Sequence, residues 1–176
     1  MRIRPYIEGK DYVYLSKWTG DERAHALWCA NLIPFPMTKE NLRQTLETGA
    51  REWTDSAYIA TQDDGTPVGF FCYCVDVRDN TGFFKFVIVD SEKRGMGYGE
   101  EMLRLALRYA FTMTGAEAVQ LNVFSGNPAA RRCYEKAGFA EREVVKGAFT
   151  WRDEVWDKCN MVARKSPPHK IRQIKQ

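Results

Sequence analysis

Residues 94–99 read Arg-Gly-Met-Gly-Tyr-Gly and carry the clearest chemical signal in the chain. Glycine lets a backbone approach a ligand closely, and the N-terminus of a helix offers free N–H groups with partial positive charge. Arg94 adds a planar fork of donors that suits a phosphate group. The loop therefore predicts a site for a phosphate-bearing ligand.

This loop lies between a predicted strand and a predicted helix that would position it. Residues 83–89 are apolar and either β-branched or aromatic, apart from Lys85, which is typical of a mostly buried strand. From Gly99 to about Thr112 the apolar residues recur at helical spacing. We therefore expect a strand that leads into an anion-binding loop at the start of a helix.

The spacing of the glycines excludes two common nucleotide sites. A P-loop needs Gly-Lys followed by Ser or Thr, which this loop lacks, and a dinucleotide fingerprint would need glycine where Glu100 stands. The pattern R-G-x-G-x-G after an apolar strand ending in Val-Asp resembles the acetyl-CoA pyrophosphate loop of the GNAT N-acetyltransferases. A plain strand-to-helix turn that merely uses glycine is the alternative for this loop taken alone.

A second motif follows the predicted strand Ala118–Phe124. Asn127 is a suitable N-cap and Pro128 suits the first helical position. The segment resembles the GNAT signature N-x-x-A-x-x-x-Y-x-x-x-G-F. The matching residues are Asn127, Ala130, Tyr134, Gly138 and Phe139. Helical spacing also allows Asn127, Arg131 and Tyr134 to lie on one side of this helix. The two motifs, in this order, identify the chain as a member of the GNAT family.

The resemblance implies acetyl-CoA as co-substrate and direct attack by a primary amine in a ternary complex. Tyr134 would be the catalytic residue beside the thioester sulfur, and a backbone N–H near Val89 would meet the developing oxyanion. The implied cofactor-binding residues are Val87, Ile88 and Val89 for the pantetheine arm, Arg94, Gly95, Met96, Gly97, Tyr98 and Gly99 for the pyrophosphate, and Asn127 for the pantetheine or its amide. A branch similar to the ribosomal-protein acetyltransferases stays open.

The acceptor amine must lose a proton before it attacks. About one lysine side chain in a thousand is neutral near pH 7.4, whereas an α-amine is roughly a quarter to a third neutral. Some GNAT enzymes carry a glutamate on the strand before the glycine loop, but here that strand has Lys85 and no acid before Asp90. We expect water, Asp76 or Glu22 to relay the proton. This absence favours a small-molecule amine or a protein N-terminus as the acceptor.

Caps and turns divide the rest of the chain into short elements. Thr38 would cap a helix from Lys39 to about Thr48, which Gly49 would end. Asp-Asp-Gly-Thr at 63–66 predicts a hairpin between two strands.

The order of these elements predicts one α+β domain over residues 1–164. We expect a mixed, mostly antiparallel central sheet with flanking helices, and a parallel βαβ unit over residues 83–124 that binds acetyl-CoA. Residues 165–176 would form a basic, loose tail.

Composition limits the remaining functions. The net charge of +3 in 176 residues is too small to predict nucleic-acid binding, and no apolar run is long enough for a membrane span. The start of the chain lacks the apolar core of a signal peptide, so we expect a cytoplasmic protein. The five cysteines form no C-x-x-C pair and no metal-like cluster with histidine, so we expect no metal. An idle acyl-CoA-binding or sensor domain, a homodimer, and recruitment of RNA or ribosomes by the tail stay open.

Overall fold

The computed structural model describes residues 1–166, and this part of the chain contains five α-helices and seven strands. The helices are α1 (Glu8–Trp18), α2 (Glu22–Cys29), α3 (Lys39–Trp53), α4 (Tyr98–Met113) and α5 (Pro128–Ala137). The strands are β1 (Arg2–Pro5), β2 (Ser56–Thr61), β3 (Pro67–Asp76), β4 (Thr81–Val89), β5 (Ala118–Phe124), β6 (Ala140–Trp151) and β7 (Glu154–Arg164). The predicted α+β class is confirmed. Residues 167–176, most of the predicted tail, lie outside the described residues.

All seven strands form one sheet in the order β1-β2-β3-β4-β5-β7-β6. Every neighbouring pair is antiparallel except β4 and β5, which are parallel and are connected through α4. This is the predicted βαβ unit in a mostly antiparallel sheet. None of the described helices is both long and apolar enough to cross a membrane.

The parallel pair is short, and this positions the site. Residues of β4 pair with β5 only from Thr81 to Phe84. Beyond that point the edge of β4 that faces β5 has no strand partner among residues 1–166. On its other edge β4 stays paired with β3, but the register shifts where Phe86 takes a left-handed backbone conformation with φ of 52°. A β-bulge of this kind bends a strand and changes the direction of its side chains.

Apolar side chains fill both faces of the sheet. One cluster packs α4 and α5 against the sheet and includes the fully buried Met102 and Leu103. The other packs α1, α2 and α3 against the opposite face and includes Leu15 and Phe70. Each fully buried side chain of this size stabilises the fold by about 1.5–3 kcal/mol. The helices are therefore fixed on both sides of the strands that line the site.

The predicted end of α3 is wrong. Thr38 caps the helix in a capping box with Asn41 as expected, but the helix continues through Gly49 to Trp53. A Cβ on Gly49 would lie 2.6 Å from a carboxylate oxygen of Asp55, so the glycine is needed for this close approach rather than for ending the helix.

Candidate active site

A cleft of about 900 Å³ opens where β4 and β5 stop pairing. Its walls come from α2, the second half of β4, the end of β5, the glycine loop and the first turns of α5. The strand edge, the glycine loop and α5 are therefore brought to one place although they are separated in sequence. The residues of the predicted site that line the cleft are Val87, Ile88, Val89, Arg94, Gly95, Gly97, Gly99, Asn127 and Tyr134.

The glycine loop exposes backbone donors at the start of α4. Gly95 and Gly97 have φ of 78° and 87°, and no atom lies within 4 Å of the position that a Cβ would take on either residue. Gly97 is the N-cap of α4 and provides no side chain to cap the first N–H groups. These groups and the positive end of the helix dipole are free to bind an anion.

Two residues of the predicted loop set do not line the cleft. The Met96 side chain is 66% exposed and points to solvent. The Tyr98 ring lies under the Lys93 ammonium at 5.8 Å from its centroid, and its hydroxyl accepts a hydrogen bond from the Gln62 amide. Any part that Met96 and Tyr98 take in binding would therefore come from their backbone.

Tyr134 lies in the wall of the cleft with only 7% of its surface exposed. Its ring packs against Phe139, with 6.3 Å between centroids. Burial raises the pKa of the Tyr134 phenol well above its usual value, with a smaller contribution from Cys133. The hydroxyl therefore stays protonated and is able to donate a hydrogen bond into the cleft.

Asn127 begins α5 as the sequence predicted. Its side-chain oxygen accepts a hydrogen bond of 3.1 Å from the Ala130 N–H. Arg131 does not share the side of the helix that faces the cleft, which corrects the expectation from spacing. It binds Glu135 and Glu141 instead, because Glu141 on β6 offers a carboxylate within 2.8 Å.

The two acids proposed as proton acceptors also lie outside the cleft. Asp76 binds Arg78, which lowers the pKa of its carboxyl to about 2, and Glu22 binds Arg152. A carboxylate with so low a pKa is a poor base at neutral pH. Among residues 1–166 no group of three His, Cys, Asp or Glu side chains is placed to hold a metal ion.

Residues 18–139 match the model of the acetyltransferase (GNAT) family, which is more than half of the chain. The chain belongs to the GNAT acetyltransferase family. It is therefore an acetyl-CoA-dependent N-acetyltransferase, as its two motifs predicted.

Individual proteins similar to this GNAT chain carry acetyltransferase names. An uncharacterized N-acetyltransferase of the SPbeta prophage in Bacillus subtilis is 30% identical over 123 residues, which cover 66% of this chain and 69% of that protein. Another uncharacterized N-acetyltransferase, from Methanocaldococcus jannaschii, is 32% identical over 99 residues, which cover 53% of this chain and 43% of that protein. The Vibrio cholerae spermidine N-acetyltransferase, solved with CoA and spermine, has a TM-score of 0.78 at 18% identity, covering 93% and 94% of the two chains. This likeness confirms the predicted GNAT-like fold.

Three features of the site were missed from the sequence. Lys85 points to the face that carries α3, where its ammonium binds both oxygens of Asp55 at 2.8 and 2.9 Å. Only the presence of one charge in an apolar strand could have signalled this pair. The bulge at Phe86 and the position of Lys158 in the cleft wall have no local signal, because both depend on pairing between strands.

Proposed function

We propose that this GNAT enzyme acetylates a primary amine by direct attack in a ternary complex, with a small-molecule amine or a protein N-terminus as acceptor. One observation supports the proposal above others. The free edge of β4, the glycine loop and Tyr134 line one cleft that continues to α2, so donor and acceptor have a common space.

The residues present fit an acetyl-CoA donor. The free N–H groups around Gly95 and Gly97 would hold the pyrophosphate, and Arg94 would add a charged donor. The unpaired edge of β4 at Val87–Val89 would bond the amides of the pantetheine arm as an added strand does. Asn127 would contact the same arm from the start of α5.

Tyr134 would act on the leaving group. Acetyl-CoA supplies a thioester, and Tyr134 would donate its phenolic proton or a hydrogen bond to the sulfur as the C–S bond breaks. An aliphatic thiol with a pKa of about 8.5 is already a fair leaving group. The residue therefore assists the departure of the thiolate and does not carry the whole reaction. A backbone N–H near Val89 would bind the oxygen on which negative charge develops.

The two acids in the cleft wall are already engaged in other interactions, which favours an acceptor amine that loses its proton without a general base. Asp21 accepts a hydrogen bond from the Ala24 N–H as the N-cap of α2, and Glu100 binds Arg104. Neither is free to act as a general base. An α-amine, with a pKa of about 7.7–8.0, meets this requirement better than a lysine side chain.

The proposal is tested by measuring thiol release from acetyl-CoA with a panel of amines. The panel would contain amino acids, short peptides with free N-termini, aminoglycosides and polyamines. Turnover of at least one amine, with the acetylated product identified by mass spectrometry, is the expected result. Tight binding of acetyl-CoA without turnover of any amine would instead establish an idle acyl-CoA-binding domain. Double-reciprocal plots that intersect would support the ternary complex, whereas parallel lines would contradict direct attack.

A further inference from the structure

We propose that the acceptor is a small primary amine that also carries a carboxylate, which Lys158 and Asn122 bind. This inference rests on the proposed function and names the chemical class of the acceptor. It is based on the charged side chains in the half of the cleft that α2 lines, away from the glycine loop.

Lys158 lies on β7 opposite Phe124 of β5, and both residues line the cleft. Side chains two apart in a strand share a face, so Lys158 lies on the same face as Trp156. Trp156 packs next to α2, because the place for a Cβ on Gly126 is 2.9 Å from the Trp156 indole nitrogen and 3.1 Å from Leu27. Lys158 therefore faces the part of the cleft beside α2.

Two other cations in that half of the cleft, Arg23 and Lys85, are already paired with carboxylates. Arg23 binds both oxygens of Glu154 at 2.8 Å, and Lys85 binds both oxygens of Asp55. Neither Glu154 nor Asp55 lines the cleft, so these carboxylates are turned away from an acceptor.

Lys158 is different from these paired cations. Among residues 1–166 it has no salt-bridge partner within 4 Å, although it is half-buried. A half-buried ammonium without a counter-ion attracts an anion more strongly than one that is already paired or fully solvated.

Asn122 provides a second donor beside Lys158. Its side-chain oxygen accepts a hydrogen bond of 3.0 Å from the Asn160 amide, which leaves the Asn122 N–H groups for a ligand. Asn122 lines the cleft and is exposed. Its strand position is diagonal to that of Lys158, a separation of about 7–8 Å between Cα atoms that a lysine side chain spans. One ammonium and one amide N–H match the two oxygens of a carboxylate.

The same arrangement disfavours a polyamine. A polyamine that keeps one or more ammonium groups when bound needs carboxylates in the wall. Among the described residues that line the cleft on the side of α2, the one acid is Asp21, which already caps that helix. The unpaired Lys158 ammonium would repel such a ligand. We therefore expect this enzyme to differ in acceptor from the spermidine N-acetyltransferase that shares its fold.

The experiment compares matched acceptors by thiol release. Each amino acid would be paired with its own amide, which removes the negative charge but also lowers the pKa of the amine. The rates would therefore be compared at equal concentrations of neutral amine, and spermidine would be included. We expect kcat/KM to be roughly 10- to 100-fold higher for the acids, the range typical of a hydrogen bond to a charged group. Lys158→Met should remove this preference by lowering kcat/KM for the acids much more than for the amides, and KM for acetyl-CoA should stay the same.

Lys146→Met is the matched control. Lys146 lies on β6, is largely exposed, binds Asp157 and does not line the cleft, so its removal should leave the preference intact. Equal turnover of acids and amides, better turnover of spermidine, or an equal loss for both acceptors in Lys158→Met would overturn this inference and leave the proposed function standing. Failure to acetylate any amine would overturn the proposed function and this inference together.

Discussion

Replacing Tyr134 by phenylalanine removes one hydroxyl from the cleft and leaves the packing of the ring unchanged. A positioned general acid contributes roughly 10²–10⁴-fold to a rate, and a thiolate is a fair leaving group, so we expect a loss near 10²-fold in kcat. Because each tenfold change in rate is 1.36 kcal/mol, this loss is about 2.7 kcal/mol of barrier. Burial raises the phenol pKa, and the proton is lost only above that pKa. The wild-type rate should therefore not fall as pH rises through about 10, the usual pKa of tyrosine.

The assay is steady-state thiol release at saturating acetyl-CoA, with the unfolding midpoint of each variant measured in urea. Tyr73→Phe is the matched control, because the Tyr73 hydroxyl bonds Thr114 at 2.7 Å and does not line the cleft. The control should lose about 1 kcal/mol of stability with kcat unchanged, whereas Tyr134→Phe should lose rate with little change in stability. A Tyr134→Phe enzyme within threefold of the wild-type kcat would refute the role of this hydroxyl.

Three further changes test the loop, the ion pair at the bulge and the attachment of α2. Gly97 has φ of 87° and open space around it, so Gly97→Ala should strain the backbone by about 1–2 kcal/mol and raise KM for acetyl-CoA roughly tenfold. Gly65 in the 63–66 turn has φ of 89°, so the control Gly65→Ala should lose similar stability but leave KM unchanged. Lys85→Met should destabilise the protein by about 3 kcal/mol in urea unfolding, because it leaves the Asp55 carboxylate, only 8% exposed, without its counter-ion. Adding Asp55→Asn should recover most of this loss, and no recovery would contradict the pairing. Arg23 on α2 lowers the pKa of Glu154 to about 2. The stability that this ion pair adds to the fold is therefore complete above about pH 4.5 and is lost as pH falls through 2. Glu154→Gln should make the melting temperature fall less over this acid range.

The sequence was sufficient where a structure depends on neighbours in the chain. Glycines at 95 and 97 give a loop that exposes N–H groups whatever surrounds it, because only glycine takes such φ values without strain. Asn127 and Pro128 start a helix through a cap and a fixed φ, and both interactions lie within four residues. These local signals were enough to identify the family and its donor.

Local signals also failed where the tertiary structure competed with them. Gly49 was predicted to end α3, since glycine favours the position after a helix. In the structure it lies inside α3, because the Asp55 side chain packs against it on its way to Lys85. Arg131 was expected to face the cleft from its helical spacing, but a carboxylate on β6 draws it to the other side. In both cases a contact with a residue outside the helix decided the outcome.

The sequence by itself therefore determined the family, the donor and the location of Tyr134 on a helix beside the glycine loop. Only the tertiary structure decided the half of the cleft that we propose for the acceptor. That half is assembled from α2, the bulged part of β4, and the row formed by Asn122 and Lys158 on β5 and β7. These positions become neighbours only through strand register, and register depends on pairing between segments far apart in the chain. The charge that an acceptor meets is consequently a property of the fold and not of any one motif.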